Sequence, residues 1–114
     1  MRPDCEVYKN EEGKIAVLVS PGWGAGWSTW NDKRLAYDKR IVEYILENGA
    51  PKKDSTGAFK RFIESLGYSN VYMGGAYQLE VEWVKPGSYV RITEYDGSEG
   101  LEILNAERSY ILLD

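Results

Sequence analysis

The order of hydrophobic and polar positions predicts short strands towards both ends of the chain and two helices between them. Lys14-Ile15-Ala16-Val17-Leu18-Val19 is apolar almost throughout, as a central strand covered on both faces would be. Glu6-Val7-Tyr8-Lys9 precedes it and is also strand-like. The turn-rich gap Asn10-Glu11-Glu12-Gly13 between them makes an antiparallel hairpin the simplest reading. The period then changes. From Asp38 to Gly49, Ile41 with Ile45 and Val42 with Leu46 repeat at four-residue spacing, which lays one buried stripe along a helix. Asp38 suits its N-cap, Gly49 suits the left-handed position just past its end, and Pro51 prevents continuation. A second helix follows, capped by Ser55 or Thr56 and ended by Gly67. Phe59, Phe62, Ile63 and Leu66 form its apolar face.

A period of two returns in Leu79-Glu80-Val81-Glu82-Trp83-Val84, where Leu79, Val81 and Trp83 alternate with glutamates. Lys85-Pro86-Gly87-Ser88 reads as a turn and Tyr89-Val90-Arg91-Ile92-Thr93-Glu94-Tyr95 as the returning strand. Pairing Val84 with Tyr89 sets Trp83 opposite Val90, Val81 opposite Ile92 and Glu82 opposite Arg91, matching apolar with apolar and charge with opposite charge. Tyr89, Arg91, Thr93 and Tyr95 then share the other face. Asp96-Gly97-Ser98-Glu99-Gly100 turns the chain into Leu101-Glu102-Ile103-Leu104, and Tyr110-Ile111-Leu112-Leu113 adds a last edge strand. The expected fold is α+β: an antiparallel sheet of about five strands, with two helices inserted between the second and third strands and packed on one face. Regular strand–helix alternation is missing, so parallel crossover units are not expected.

With 114 residues, the chain has the size of one domain spanning residues 1–114. Its 43% hydrophobic and 28% charged content is that of a globular protein. No apolar run is long enough to span a bilayer, and Met1-Arg2-Pro3-Asp4-Cys5 lacks the apolar stretch of a signal peptide. Cys5 is the single cysteine and cannot form an intramolecular disulfide. These features lead to a cytoplasmic protein. A net charge of −4 argues against general nucleic-acid binding. Charge is uneven, however: Lys33, Arg34, Lys39 and Arg40 stand against Asp32 and Asp38, whereas residues 71–114 hold eight acids against Lys85, Arg91 and Arg108.

Catalytic classes fall away mostly by exclusion. Without histidine there is no His-assisted nucleophile and no histidine metal ligand, and one cysteine makes zinc improbable. Asp96, Glu99 and Glu102 read more simply as a solvated turn and strand surface than as a metal or acid–base cluster. No cofactor, metal or catalytic activity is expected.

Three of the four tryptophans lie in Ser20-Pro21-Gly22-Trp23-Gly24-Ala25-Gly26-Trp27-Ser28-Thr29-Trp30-Asn31. Glycine lets backbone approach a ligand, and indole rings supply flat walls. The segment is neither a P-loop nor a dinucleotide fingerprint. Exposed amides at Gly24, Ala25 and Gly26, with Ser28, Thr29 and Asn31 as further donors, would form a nest for phosphate or carboxylate. Met73-Gly74-Gly75-Ala76 is a second unhindered backbone patch. Two readings stand side by side: a ligand site, or a plug in which Trp23, Trp27 and Trp30 cover the open end of a small core.

The Trp-Gly segment, the helix opening at Asp38, Gly74-Gly75 and Glu94-Tyr95-Asp96-Gly97-Ser98-Glu99 together resemble a group of small uncharacterised proteins of bacteriophages and prophages. The resemblance implies a phage protein acting in a bacterial cytoplasm and carries no activity with it. By analogy of setting, such a protein would counter host defences. The leading expectation is a non-catalytic binding module for a nucleotide-like or other polar anionic molecule, sequestering a host defence signal. Trp23, Trp27 or Trp30 would stack on a planar group, with Lys33 or Arg34 assisting the amides of Gly24, Ala25 and Gly26. Gly74 and Gly75 would leave room, and Tyr95, Asp96 and Glu99 would border the ligand, the two acids accepting from sugar hydroxyls. The alternative is a protein–protein inhibitor that sets an acidic hairpin, with Glu80, Glu82 and Glu102, against a host defence protein. Exposed apolar surface in so small a chain also fits a homodimer.

Overall fold

All five residues of strand β1 (Ile15–Val19) are buried. The computed structural model describes residues 5–104 and 111–113, and in it the two faces of β1 serve two different cores. Ala16 and Leu18 join a cluster with Trp27 and Leu35. Helix α1 (Lys39–Asn48) adds Ile41, Val42 and Ile45 to this cluster, and α2 (Gly57–Ser65) adds Phe59 and Ile63. Ile15, Val17 and Val19 point the other way, to Ala36, Tyr37, Val84, Val90 and Leu113. A strand with apolar company on both sides has no use for alternation, which accounts for its unbroken apolar run.

The architecture is α+β with five strands in two antiparallel sheets, and the single five-stranded sheet expected above is corrected. One sheet pairs β1 with β2 (Glu80–Val84); the other has the order β4–β3–β5, with β3 at Ser88–Tyr95, β4 at Ser98–Leu104 and β5 at Ile111–Leu113. Both helices lie between β1 and β2 in the chain. Glu6–Lys9 forms no named strand: it meets β1 through an isolated Lys9–Ile15 bridge and the Ala16 amide on the Tyr8 carbonyl. Met1–Asp4 and Tyr110 lie outside the described residues.

The expected β2–β3 hairpin is not formed. Trp83 sits opposite Ala16, Val81 opposite Leu18 and Glu82 opposite Val17, while Arg91 faces Glu102 on β4, 3.1 Å away. The Lys85–Ser88 turn, with Gly87 at φ 83°, carries the chain from one sheet to the other. It places Val84 and Val90 in the same core from opposite layers. β3 instead takes its partner from the stronger local signal: Asp96 and Gly97 both have positive φ, 48° and 85°, the two-residue hairpin turn that Asp-Gly favours.

The helix ends follow the sequence closely. Asp38 caps α1 through the Arg40 amide, and Gly49 closes it at φ 76°. Thr56 precedes α2 without a side-chain cap, and Gly67 follows at φ 106°. Leu46, expected on the buried stripe, is exposed at the end of α1.

The Asp96–Gly97 turn packs tightly against the Trp-Gly loop. The Gly24 amide donates to the Asp96 carbonyl at 2.7 Å and the Gly26 amide to the Gly97 carbonyl at 2.8 Å. A Cβ on Gly97 would lie 2.8 Å from the Gly24 and Ala25 backbone. Gly97→Ala therefore meets both an unfavourable φ and a rigid obstacle. It should lower unfolding free energy by at least about 2 kcal/mol, read from urea denaturation; a loss under about 0.5 kcal/mol would show that the turn is not held against the loop.

Candidate functional site

The segment after β1 is fastened to the β3–β4 hairpin by a buried carboxylate. Glu99 is 4% exposed. Its Oε1 accepts from the Ser20 amide at 3.1 Å, and its Oε2 accepts from the Thr29 amide at 3.0 Å and the Thr29 hydroxyl at 2.7 Å. The Glu99 amide returns a bond to the Ser20 carbonyl at 2.9 Å, and the Ser98 hydroxyl donates to the Pro21 carbonyl. Burying a carboxylate is costly unless its lone pairs are satisfied, so these donors are what permits Glu99 to sit inside. Its role is structural, in place of the solvated surface read from the sequence.

The expected nest is closed by the same junction. Besides the Gly24 and Gly26 bonds, the Ala25 amide donates to the Gly22 carbonyl at 3.2 Å. Gly75 is buried against Ala25 and accepts from the Ser20 hydroxyl at 2.8 Å. Gly74 lies under the Tyr72 ring, where a Cβ would overlap it. The glycines thus permit close packing of the protein on itself, and the Gly24, Ala25 and Gly26 amides are all bonded to backbone carbonyls.

The tryptophans divide into two kinds. Trp27 is fully buried, its indole N–H donating to the Leu35 carbonyl at 2.8 Å and its ring stacked on Phe59 with centroids 5.7 Å apart. Trp23 and Trp30 are 72% and 47% exposed. Trp23 meets the exposed Tyr95 edge to face at 5.5 Å; Trp30 meets Tyr72 at 5.5 Å and covers Gly26. The Tyr72 hydroxyl donates to the Gly24 carbonyl at 2.6 Å, which links the two pairs into one aromatic row. Ser28 is buried. Asn31 is a staple: its amide nitrogen donates to the Trp27 and Tyr72 carbonyls, and its oxygen accepts from the Tyr72 amide.

Beside Trp30 opens a depression of about 430 Å³. Its wall includes Trp30, Asp32, Arg34, Tyr68, Ser69 and Asn70. Arg34 grips Asp32 through Nε–Oδ1 at 3.0 Å and Nη2–Oδ2 at 2.6 Å, and its guanidinium lies 5.0 Å from the centre of the Tyr68 ring. Hydrogen bonding to Arg34 holds the Asp32 carboxyl below its ordinary pKa. Tyr68 in turn donates to Asp38 at 2.7 Å. Burial, followed by that bond, pushes the Tyr68 hydroxyl above its usual pKa. Burial also works to raise Asp38, but hydrogen bonds from Arg40 and Tyr68 outweigh it and hold this carboxyl low.

Of the residues singled out in the sequence, Trp30, Asn31 and Arg34 border the depression. Trp23 and Tyr95 stand on the aromatic row. Gly24, Ala25, Gly26, Trp27, Ser28, Gly75 and Glu99 pack or bond within the protein, and the exposed Thr29 and Gly74 do so against Glu99 and the Tyr72 ring. Asp96 contributes its carbonyl to the junction, and Lys33 is exposed and does not line the depression. The sequence reading missed Asp32, Tyr68, Ser69 and Asn70. Asn70, at φ 55°, was the detectable one, because asparagine tolerates the left-handed region and follows the helix-ending Gly67 closely.

Among the described residues no cluster of three or more histidine, cysteine or acidic groups could hold a metal, and no helix is long and apolar enough to cross a membrane. Comparison with known protein families, curated proteins and solved structures finds no match for the chain.

Two outcomes follow from the buried acids. Glu99→Gln replaces an acceptor oxygen with a donor facing other donors, and should cost about 2 kcal/mol of stability with the fold retained; a neutral effect in urea denaturation would contradict the assignment. Asp38 has a lowered folded-state pKa, so its contribution is present above the ordinary carboxylate value and is lost as pH falls through the folded value. The stability gap between wild type and Asp38→Asn should hold steady from about pH 7 to 5 and close below about pH 4. A gap independent of pH would refute this.

Proposed function

We propose that the protein is a non-catalytic binding module whose ligand site is the depression beside Trp30. The observation that carries this reading is a half-exposed indole ring at the edge of a hollow walled mostly by polar and charged side chains, with Gly67 and Val71 completing it. Its volume falls in the roughly 300–1,000 Å³ range of small-molecule sites. The ring supplies a stacking surface, and Asp32, Arg34, Ser69 and Asn70 supply directional hydrogen bonding. The support under the ring is built in: Trp30 rests on Gly26 and Tyr72, and the next residue, Asn31, donates to the Trp27 and Tyr72 carbonyls. A preorganised surface loses less entropy on binding. In the phage setting implied by the Trp-Gly and Tyr-Asp-Gly segments, such a module would sequester a small host signal.

A protein partner is the second reading, favoured by Trp23 and Tyr95, two mutually packed rings that are both more than two-thirds exposed. Tryptophan and tyrosine are common anchors of protein interfaces. The acidic hairpin surface is not its basis: Glu80 and Glu82 lie on β2, whereas Glu102 lies in the other sheet and is paired with Arg91.

Thermal-shift screening of nucleobases, nucleosides, nucleotides and simple sugars tests the first reading. A ligand that raises the melting temperature should lose about tenfold in affinity in Trp30→Ala, a typical loss for one stacked ring, and keep it in Trp23→Ala. No shift with any compound, or dependence on Trp23 alone, would favour the protein partner instead.

A further inference from the structure

We infer that the depression takes a neutral molecule combining a flat ring with vicinal hydroxyls, the chemistry of a nucleoside without its phosphate. This rests on the depression being the ligand site. The groups that would attract an anion are engaged elsewhere. The Gly24, Ala25 and Gly26 amides are bonded to backbone carbonyls, and Lys33 is not part of the wall. The wall's cation, Arg34, is held by Asp32 through two side-chain bonds and also lies against Tyr68. A phosphate would have to compete with that carboxylate for the guanidinium and approach the carboxylate's own charge. A hydroxyl pair would not: hydroxyls donate as well as accept, so they suit a compensated acid–base pair.

Asp32 supplies the acceptor. Its Oδ1 receives both the Arg34 amide and Nε, while Oδ2 receives Nη2. A carboxylate offers about four acceptor positions, so Oδ2 retains capacity, and the Asp32 side chain is 37% exposed. The same logic operates in dinucleotide sites, where an acid accepts from ribose hydroxyls and an arginine goes with a phosphorylated ribose. Trp30 provides the complementary half of the site, its ring packed on Gly26 and Tyr72 and the residue still 47% exposed. Ser69 and Asn70, both exposed on the wall, add short polar side chains.

Isothermal titration of the full chain with adenosine, guanosine, cytidine and uridine, their 5′-monophosphates and their 2′,3′-dideoxy forms tests this. At least one nucleoside should bind, its monophosphate no more than about threefold tighter, and its dideoxy form about tenfold weaker. Asp32→Asn keeps a capping residue at the start of the 33–36 turn but leaves Arg34 without its carboxylate. It should shift the monophosphate-to-nucleoside affinity ratio about tenfold towards the monophosphate. The dideoxy comparison needs no variant and stands if Asp32→Asn does not fold. Monophosphates binding wild type tenfold tighter, or dideoxy forms binding equally well, would overturn the inference and leave the ligand site in place. No binding by any of the compounds would overturn the inference, and the thermal-shift screen with nucleobases and simple sugars then decides whether the ligand site itself stands.

Discussion

A buried glutamate on one strand holds the loop that follows another, and the architecture of the site depends on this contact. Glu99 receives the Ser20 and Thr29 amides and the Thr29 hydroxyl, while the neighbouring Asp96–Gly97 turn receives the Gly24 and Gly26 amides on its carbonyls. Each component is weak alone. Hydrogen bonds to charged groups contribute about 1.5–3 kcal/mol, and neutral ones about 1. Together they fix both ends of a ten-residue stretch of loop against one hairpin tip. Burial makes the contact selective, because any arrangement that leaves the buried carboxylate without donors is strongly unfavourable.

From that contact the rest of the candidate site follows. With the loop fixed, Trp27 enters the core beneath it, and Trp30, three residues on, emerges over Gly26. Tyr72 is held against Trp30 by Asn31 and against Gly24 by its hydroxyl. The depression therefore lies between two rigid supports. On one side stands the glutamate-held loop; on the other, the Gly67–Val71 stretch is anchored by Tyr68 on Asp38 at the start of α1.

What the sequence revealed was local. Asp38 and Gly49 bracket α1 because capping and left-handed closure depend on single residues. The unbroken apolar run of β1 signalled burial on both faces, and Asp96-Gly97 signalled a tight turn. Pairings between distant segments were ambiguous. Arg91 can satisfy itself with Glu82 or with Glu102, and both registers match apolar residues; the two-residue Asp-Gly turn decides for Glu102 by closing the shorter loop. The same limit hid the candidate site. Nothing near Trp27 and Trp30 in sequence distinguishes the buried ring from the exposed one, since Phe59 and Leu35 take one and Tyr72 and Gly26 carry the other. Open amides and bonded amides likewise look alike until the hairpin that receives them is placed. Glu99 read as surface because its donors lie 70 and 79 residues away in the chain.

Hydrogen exchange resolved by residue tests the glutamate-held junction most directly. The amides of Ser20, Gly24, Gly26 and Thr29, all in a glycine-rich loop, should be protected to within about tenfold of the β1 core amides, as members of the same cooperative unit. Exchange of these four at the rate of an unstructured peptide, with β1 still protected, would contradict it.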